Sequence, residues 1–325
     1  MKLNRIKFLF LTGILALLFC FSGKAQDNTT PKKESKEESV SSIEATVDYT
    51  GDSGFYGVYN NLVKQPTLGS TVAYYGKKGI FLLANGYVIG NSNPTLSKST
   101  EELDLAAGWN FFFYGDAITL APNFAHFFYS NGSTTAKSMF TNEFGLSASG
   151  DFNWFRPAAT FDYLFGTSKS ANLNLTIAFH LEANDMLAKD NIFEFEPSAG
   201  ANYGDNSFYY RLSNLNFKSI SSLRAQYGDK ITIKELLTLS VVKNSPKIEN
   251  QLRKLSQNAT LGEIFSYTPS NQINSVEFIF PVKYIIKNLT INSALNISLP
   301  MNIPDFITSQ THVFLTAGIS YSFDL

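Results

Sequence analysis

The stretch Val313-Phe-Leu-Thr-Ala-Gly-Ile-Ser-Tyr-Ser-Phe323 decides the fold. Its odd-numbered positions read Val, Leu, Ala, Ile, Tyr, Phe and its even-numbered ones Phe, Thr, Gly, Ser, Ser. An α-helix would scatter a two-residue period around its axis, whereas successive side chains of a β-strand point to opposite faces. Leu103–Phe113, Leu173–Ala183 and Phe193–Tyr203 carry the same pattern in the same phase. Over the four stretches, 23 of 24 odd positions are apolar, Pro197 being the exception, against 4 of 20 even positions. A chain that is 44% hydrophobic does not split that way by chance. Each stretch is therefore a strand with one apolar and one polar face.

Weaker alternation extends outward over Ile43–Tyr49, Leu68–Tyr75, Ile80–Gly90, Ile118–Tyr129, Phe140–Ser149, Phe155–Phe165, Val276–Ile286 and Leu289–Leu299. Turn-forming clusters separate them: Gly76-Lys77-Lys78-Gly79, Gly115-Asp116, Gly150-Asp151, Gly166 to Ala171, Gly204-Asp205 and Lys287-Asn288. Short turns alternate with longer polar loops such as Asn91 to Thr100 and Ser130 to Lys137. That rhythm predicts an all-β, antiparallel up-and-down meander with a smooth and a loopy end. Phe208–Leu212 is a candidate further strand. Both termini at one end of a closed barrel require an even number, so 12–14 strands are expected.

Alternation does not say which face meets solvent: a soluble barrel hides its apolar face, a membrane barrel shows it to lipid. The chain is 14% aromatic, with 29 Phe and 16 Tyr, and only 16% charged, which excludes a disordered protein. A mean hydropathy of −0.06 and no later apolar run of membrane-helix length exclude a helical membrane bundle. A formal charge of −1 and a pI of 6.3 speak against nucleic acid as a partner. Strands of this length suit a tilted membrane crossing better than a soluble sheet. Aromatics gather near strand ends, at Trp109 to Tyr114, Phe124 to Tyr129, Phe161 to Phe165 and Phe208 to Tyr210, where interfacial girdles form. The terminal Tyr321 and Phe323 resemble the signal read by the barrel assembly machinery, although Asp324 and Leu325 follow. The expected setting is a Gram-negative outer membrane, with its lipids and that machinery as partners.

Residues 1–25 read as an export signal: Lys2, Arg5 and Lys7 precede an apolar Phe8–Phe21, and Gly23 and Ala25 supply the small residues of a cleavage site. Cleavage there removes Lys2, Arg5, Lys7 and Lys24 and no acid, taking the formal charge from −1 to −5. Lipid attachment at Cys20, the chain's 1 cysteine, is disfavoured by Phe19 where a small residue is needed. Residues 26–42 are polar and of mixed charge and read as a disordered tail, leaving 43–325 as the barrel. Within it, 213–274 breaks the strand rhythm. Thr232-x-x-Glu235 before Leu236 and Leu237 is a capping-box pattern, and Pro246 to Gln257 is a second candidate helix. The region is expected to be a partly helical extramembrane insertion, with an extra strand pair as an option.

On the polar face the acids Glu102, Asp104, Glu143, Asp162, Glu182, Glu194, Glu196 and Glu277, joined by Glu44 and Asp48, outnumber Arg156, Arg211 and Lys283, with His180 titratable. These are the expected lumen-facing residues. An open lumen so lined favours cations and neutral solutes over anions; a closed barrel would instead use the acids to pair its arginines. His126-Phe-Phe-Tyr-Ser130-Asn131-Gly132 resembles the His-x-Ser-Asn cluster of outer-membrane phospholipases and lipid A deacylases. Here the spacing is four rather than two, which on a regular strand separates the pair by about 13 Å. A base must reach its nucleophile within about 3 Å, so no catalytic residue is expected. His180 and Glu182 share a face, but with no second histidine nearby no metal and no cofactor is expected.

The run Asn60 to Gly90, with Asp48-Tyr49, Gly57, Pro66 and Gly69, and the strand Glu102-Leu-Asp-Leu-Ala-Ala-Gly108 resemble TorF-type porins and the wider small outer-membrane barrel families. The resemblance spans Ala45 to Phe165 and implies passive solute permeation. The 213–274 insertion has no counterpart in it. Three functions stand: a porin-like channel for small neutral or cationic solutes, a closed structural or surface-binding barrel acting through its loops, and an acyl hydrolase.

Overall fold

The computed structural model describes residues 41–52, 54–55, 58–59, 65–90, 100–129, 140–186, 189–205, 217–253, 255–267, 270–304, 306–307 and 311–325. The expected export signal and all but the end of the polar tail lie outside them, as do Phe208–Leu212, Arg211 and Ser130.

Twelve strands close into one antiparallel barrel. They are β1 (Ser42–Thr50), β2 (Thr67–Tyr75), β3 (Ile80–Ile89), β4 (Thr100–Trp109), β5 (Ile118–Tyr129), β6 (Phe140–Gly150), β7 (Phe155–Gly166), β8 (Lys169–Phe179), β9 (Ser198–Asp205), β10 (Asn271–Ile286), β11 (Leu289–Pro300) and β12 (His312–Asp324). Each pairs with its sequence neighbours, and β1 closes the ring against β12, from Ser42 opposite Asp324 to Thr50 opposite Thr316. Closure leaves no sheet edge, so the backbone polar groups of the wall are satisfied within it.

Three of the four deciding stretches are longer than a single strand. After Asn110, β4 resumes as Phe111–Phe113 and keeps its pairing with β5. Past His180, β8 runs on as Leu181–Asn184, which pairs with Asn191–Phe195, the lead-in to β9. The lead-in lies against the far end of β10, with Glu194 opposite Lys283. The break at Glu196-Pro197 falls at the odd position that departed from the apolar pattern, since proline has no N–H to give the ladder. A second irregularity lies in β10: Asn202 pairs with Ser275 but Tyr203 with Ile273, so Asn274 is bulged out of register and buried.

Odd positions of the deciding stretches point outward. Leu103, Leu105, Trp109, Leu175, Ile177, Phe179, Tyr203, Val313, Leu315, Ile319, Tyr321 and Phe323 are all exposed, as are Val47, Leu68, Val72, Leu82, Phe124, Phe144 and Phe161 on other strands. A contiguous apolar belt of this size far exceeds what a water-soluble monomer shows. Phe111, Phe112, Phe113, Tyr114, Phe152 and Trp154 crowd the outer rim at the end that carries the termini, with Trp154 stacked on Phe179 at 6.0 Å.

Apart from the β8–β9 hairpin, connections at the termini end are short, such as Gly76–Gly79 and Lys287-Asn288, while the opposite end carries the stretch between β9 and β10. There the described residues form five short helices, α1 (Phe217–Tyr227), α2 (Ile233–Leu236), α3 (Ser240–Lys243), α4 (Pro246–Leu252) and α5 (Leu261–Ser266). The second predicted helix ends at Leu252 rather than Gln257, and the described part of the insertion contains no strand. Two capping boxes, Thr232/Glu235 and Thr260/Glu263, start α2 and α5. They face each other across a bridge: Ile233 N–H donates to Ala259 C=O (2.9 Å) and Leu261 N–H to Ile231 C=O (3.2 Å). Lys234 N–H donates to Gln257 C=O (2.9 Å) and Gly262 N–H to Asp229 C=O (2.8 Å), the same bond with the two segments exchanged. The two capping-box turns are thus related by a local pseudo-twofold.

Candidate functional site

The barrel interior carries most of the described charged side chains that sequence reading assigned to a polar face. Register sets Glu102, Asp104, Glu143, Arg156, Asp162, Glu182, Glu194, Glu277 and Lys283 on the face opposite the exposed apolar side chains, and His180 and Glu196 join Arg156 there. On β4 the contrast is direct: Glu102 and Asp104 are 6% and 5% exposed, Leu103 and Leu105 both 44%.

Three zones line this face. Across β4 to β7, Glu102, Asp104, Glu143 and Asp162 sit on neighbouring strands. Glu102 is the cross-strand partner of Tyr129, Glu143 that of both Ala125 and Leu164, and Asp162 that of Gly145. Across β8 to β10 a run of amide and hydroxyl side chains bonds to itself, with Glu277 beside it opposite Gly200. Thr176 Oγ1 donates to Asn174 Oδ1 (2.8 Å), Asn174 Nδ2 to Asn202 Oδ1 (2.9 Å), and Asn202 Nδ2 to Ser275 Oγ (2.9 Å). Throughout the interior, glycines face amides or acids: Asn123 opposite Gly145, Asn172 opposite Gly204, Asn292 opposite Gly318 and Asp48 opposite Gly69. With no Cβ beneath it, each polar side chain lies flat along the wall instead of standing into the lumen.

At the termini end the charges interlock. Arg156 Nη1 donates to Glu196 Oε2 (2.6 Å) and Arg156 Nη2 reaches Asp151 Oδ2 (3.0 Å). His180 Nδ1 lies 3.3 Å from the same Glu196 oxygen and 2.8 Å from Arg156 Nη1, while His180 Nε2 faces Glu182 Oε2 at 3.5 Å. Lys283 Nζ is 3.4 Å from Glu194 Oε2. The Arg156 guanidinium holds the Asp151 carboxyl, in the turn before β7, below the usual carboxylate range.

At the loopy end a buried pair ties the two terminal strands. Asp52 Oδ2 is 3.1 Å from His312 Nδ1, and Asp52 Oδ1 accepts from Gln65 N–H at 2.9 Å. Beside it the insertion docks on the interior. Ile220, Leu223, Ile233, Leu236, Leu261 and Ile264 form one apolar cluster with the inward Ala125, Phe127, Phe140 and Leu164 of β5 to β7 and with Phe306 and Ile307 of the β11–β12 connection. The insertion therefore packs against inward residues of the wall at this mouth. A cleft of about 690 Å³ remains between it and the β11–β12 connection, lined by Asn258, Glu263, Tyr267, Gln272, Asn302 and Phe306.

His126 faces outward: its Nδ1 is 2.8 Å from Asn142 Oδ1 and its ring meets Phe128 edge-on at 4.5 Å. Tyr321 and Phe323, the expected assembly signal, also face outward, with ring centroids 4.6 Å apart. The amide–glycine pairs escaped sequence reading because they depend on the exact register between strands, and the Asp52–His312 contact because it depends on closure of the ring.

No protein-family profile matches the sequence, and no curated protein does. Among solved structures, the chain is similar to the COG4313 outer membrane channel from Pseudomonas putida F1 at 9% identity and a TM-score of 0.45, covering 91% of this chain and 100% of that one. It is similar to the KdgM porin at 8% identity and a TM-score of 0.43, covering 87% and 99%. It is similar to LpxR from Salmonella typhimurium at 10% identity and a TM-score of 0.42, covering 86% and 99%.

Proposed function

We propose that this chain is a non-enzymatic outer-membrane β-barrel of the Gram-negative envelope that passes small neutral or cationic solutes by diffusion through its polar interior. The observation that carries the reading is the sidedness of the wall: an apolar belt outside and an acid-rich polar face inside, in one closed ring. Only a bilayer gives the outer belt a favourable surrounding. The short-turn end then faces the periplasm and the insertion the cell exterior. Among the described inward residues, carboxylates on β1, β4, β6, β7, β10 and the hairpin between β8 and β9 outnumber Arg156 and Lys283. In a low-dielectric tube that imbalance lowers the energy of a cation and raises that of an anion. The Asn, Ser and Thr ladder of β8 to β10 offers neutral solutes exchangeable hydrogen bonds.

Purified protein in planar bilayers tests this. A cation-selective reversal potential is expected under a salt gradient; folded barrels that pass no current, with or without the insertion, overturn it.

A second reading has its own observation. The apolar cluster that joins the insertion to Phe127, Phe140 and Leu164 suits a barrel sealed at that mouth, with the helices and their cleft serving as a surface-binding site. Replacing residues 217–267 by a short linker separates the two. Current in the full chain supports the channel; current only after replacement supports the sealed barrel. The hydrolase reading finds His126 engaged by Asn142 on the outer face. Phospholipid or lipid A cleavage abolished by Ser130→Ala would restore it.

A further inference from the structure

We propose that His180, Glu182 and Glu194 form a divalent-metal site at the termini-side mouth of the barrel, suited to a borderline ion such as Zn²⁺. One ligand atom from each lies within 4.8 Å of the other two. Sequence discounted this place for want of a second histidine. The third ligand instead comes from across the hairpin, because Glu194 is the cross-strand partner of Glu182.

Two independent features point to a cation between them. Like charges in directly opposed strand positions repel, and Lys283, at 3.4 Å from Glu194, is one ammonium for two carboxylates. The histidine is also oriented as a ligand would be. A metal-bound imidazole uses one nitrogen and donates the other N–H to a carboxylate, which fixes its tautomer. Here Nε2 faces Glu182, and Nδ1 faces Glu196, itself clamped by Arg156 at 2.6 Å. Without metal, the 2.8 Å contact lets Nδ1 accept from Arg156 and Nε2–H donate to Glu182. Loading moves that proton to Nδ1, where Glu196 accepts it, and Arg156 turns its own N–H to Glu196. The count of protons on the ring is unchanged.

One nitrogen and two carboxylate oxygens match zinc's preferences and leave a fourth tetrahedral position for water. Lys283 is the competitor: its ammonium lies 3.4 Å from Glu194 Oε2, so it contests the same carboxylate for a cation. The inference does not depend on whether the barrel conducts.

The test is titration of the refolded full-length barrel with Zn²⁺ by calorimetry and with Co²⁺ by visible absorption. One ion per chain is expected, with Co²⁺ bands of tetrahedral intensity. His180→Ala and Glu194→Gln should abolish both signals, and Glu196→Gln should weaken binding about 10-fold, the low end for a carboxylate behind a ligand. Lys283→Gln should tighten it, which mere loss of folding cannot do. Heat-modifiable migration of each variant verifies the barrel. No stoichiometric binding by the wild type, binding that survives His180→Ala, or no gain in Lys283→Gln would each overturn the proposal.

Discussion

Asn172 lies over Gly204. They are cross-strand partners on the inward face of β8 and β9, and a Cβ added at Gly204 would stand 2.1 Å from Asn172 Oδ1. Asn172 is 1% exposed, so its amide has no room to step aside. Gly204→Ala should therefore cost about 1–3 kcal/mol, the usual penalty of overpacking. Urea unfolding in lipid vesicles measures it. Asn172→Ala in the same chain should recover part of the loss, and additive effects would show that the two side chains are not coupled.

Leu175 tests the sidedness of the wall. It lies mid-strand on β8 between Ala159 and Ala201, outward and 51% exposed. If lipid surrounds it, Leu175→Arg costs about 2–4 kcal/mol, as for a cation at the bilayer midplane. The inward neighbour Thr176, which already donates to Asn174, should tolerate Thr176→Ser with almost no loss. Equal effects at both positions would contradict the assignment of faces.

The seat of the insertion is open to a separate test. Leu164 is fully buried at the loopy end of β7, in the cluster that joins β5 to β7 with the helices. Leu164→Ala should cost about 2–5 kcal/mol locally. The loss should appear as faster hydrogen exchange in residues 217–266, with the strands of the barrel unchanged. If the insertion narrows the path, single-channel current should rise in the same variant.

How much of this was legible in the sequence follows from where each determinant lies. Outward and inward faces were readable at Leu103–Phe113 or Val313–Phe323 because the two-residue period is local to one strand. Pro197 marked its own break in the same way. The strand count came out at the lower end of the expected range because the described part of 213–274 forms helices instead of the optional strand pair. Asn274 was unreadable: a bulge shifts register by one residue and leaves no compositional trace. Pairings such as Asp52 with His312 join residues at opposite ends of the chain, and only ring closure brings them together. The insertion yielded one capping box, at Thr232. Its partner at Thr260 carries the same Thr-x-x-Glu signature, Ala-Thr-Leu-Gly-Glu against Ile-Thr-Ile-Lys-Glu, and was equally legible.

Those boxes make the insertion acid-sensitive. Glu235 accepts from Thr232 N–H (2.8 Å) and hydroxyl (2.8 Å), and Glu263 from Thr260 N–H (2.7 Å) and hydroxyl (2.9 Å). The backbone bond, followed by the hydroxyl, holds each carboxyl below its ordinary value. Asp229 is lowered likewise by Arg224. A group whose folded pKa is depressed contributes stability above its unfolded value, and that stability is lost as pH falls through the folded one. The insertion should therefore keep its full stability above the ordinary glutamate value of about 4.3 and loosen progressively below it. The β-barrel, held by its closed backbone ladder, should not follow. Hydrogen exchange resolved over residues 229–265 on acidification checks this. Glu235→Gln with Glu263→Gln should flatten the profile in part, leaving the contribution of Asp229. A profile as steep in the double variant as in the wild type would show that the capping boxes are not the titrating elements.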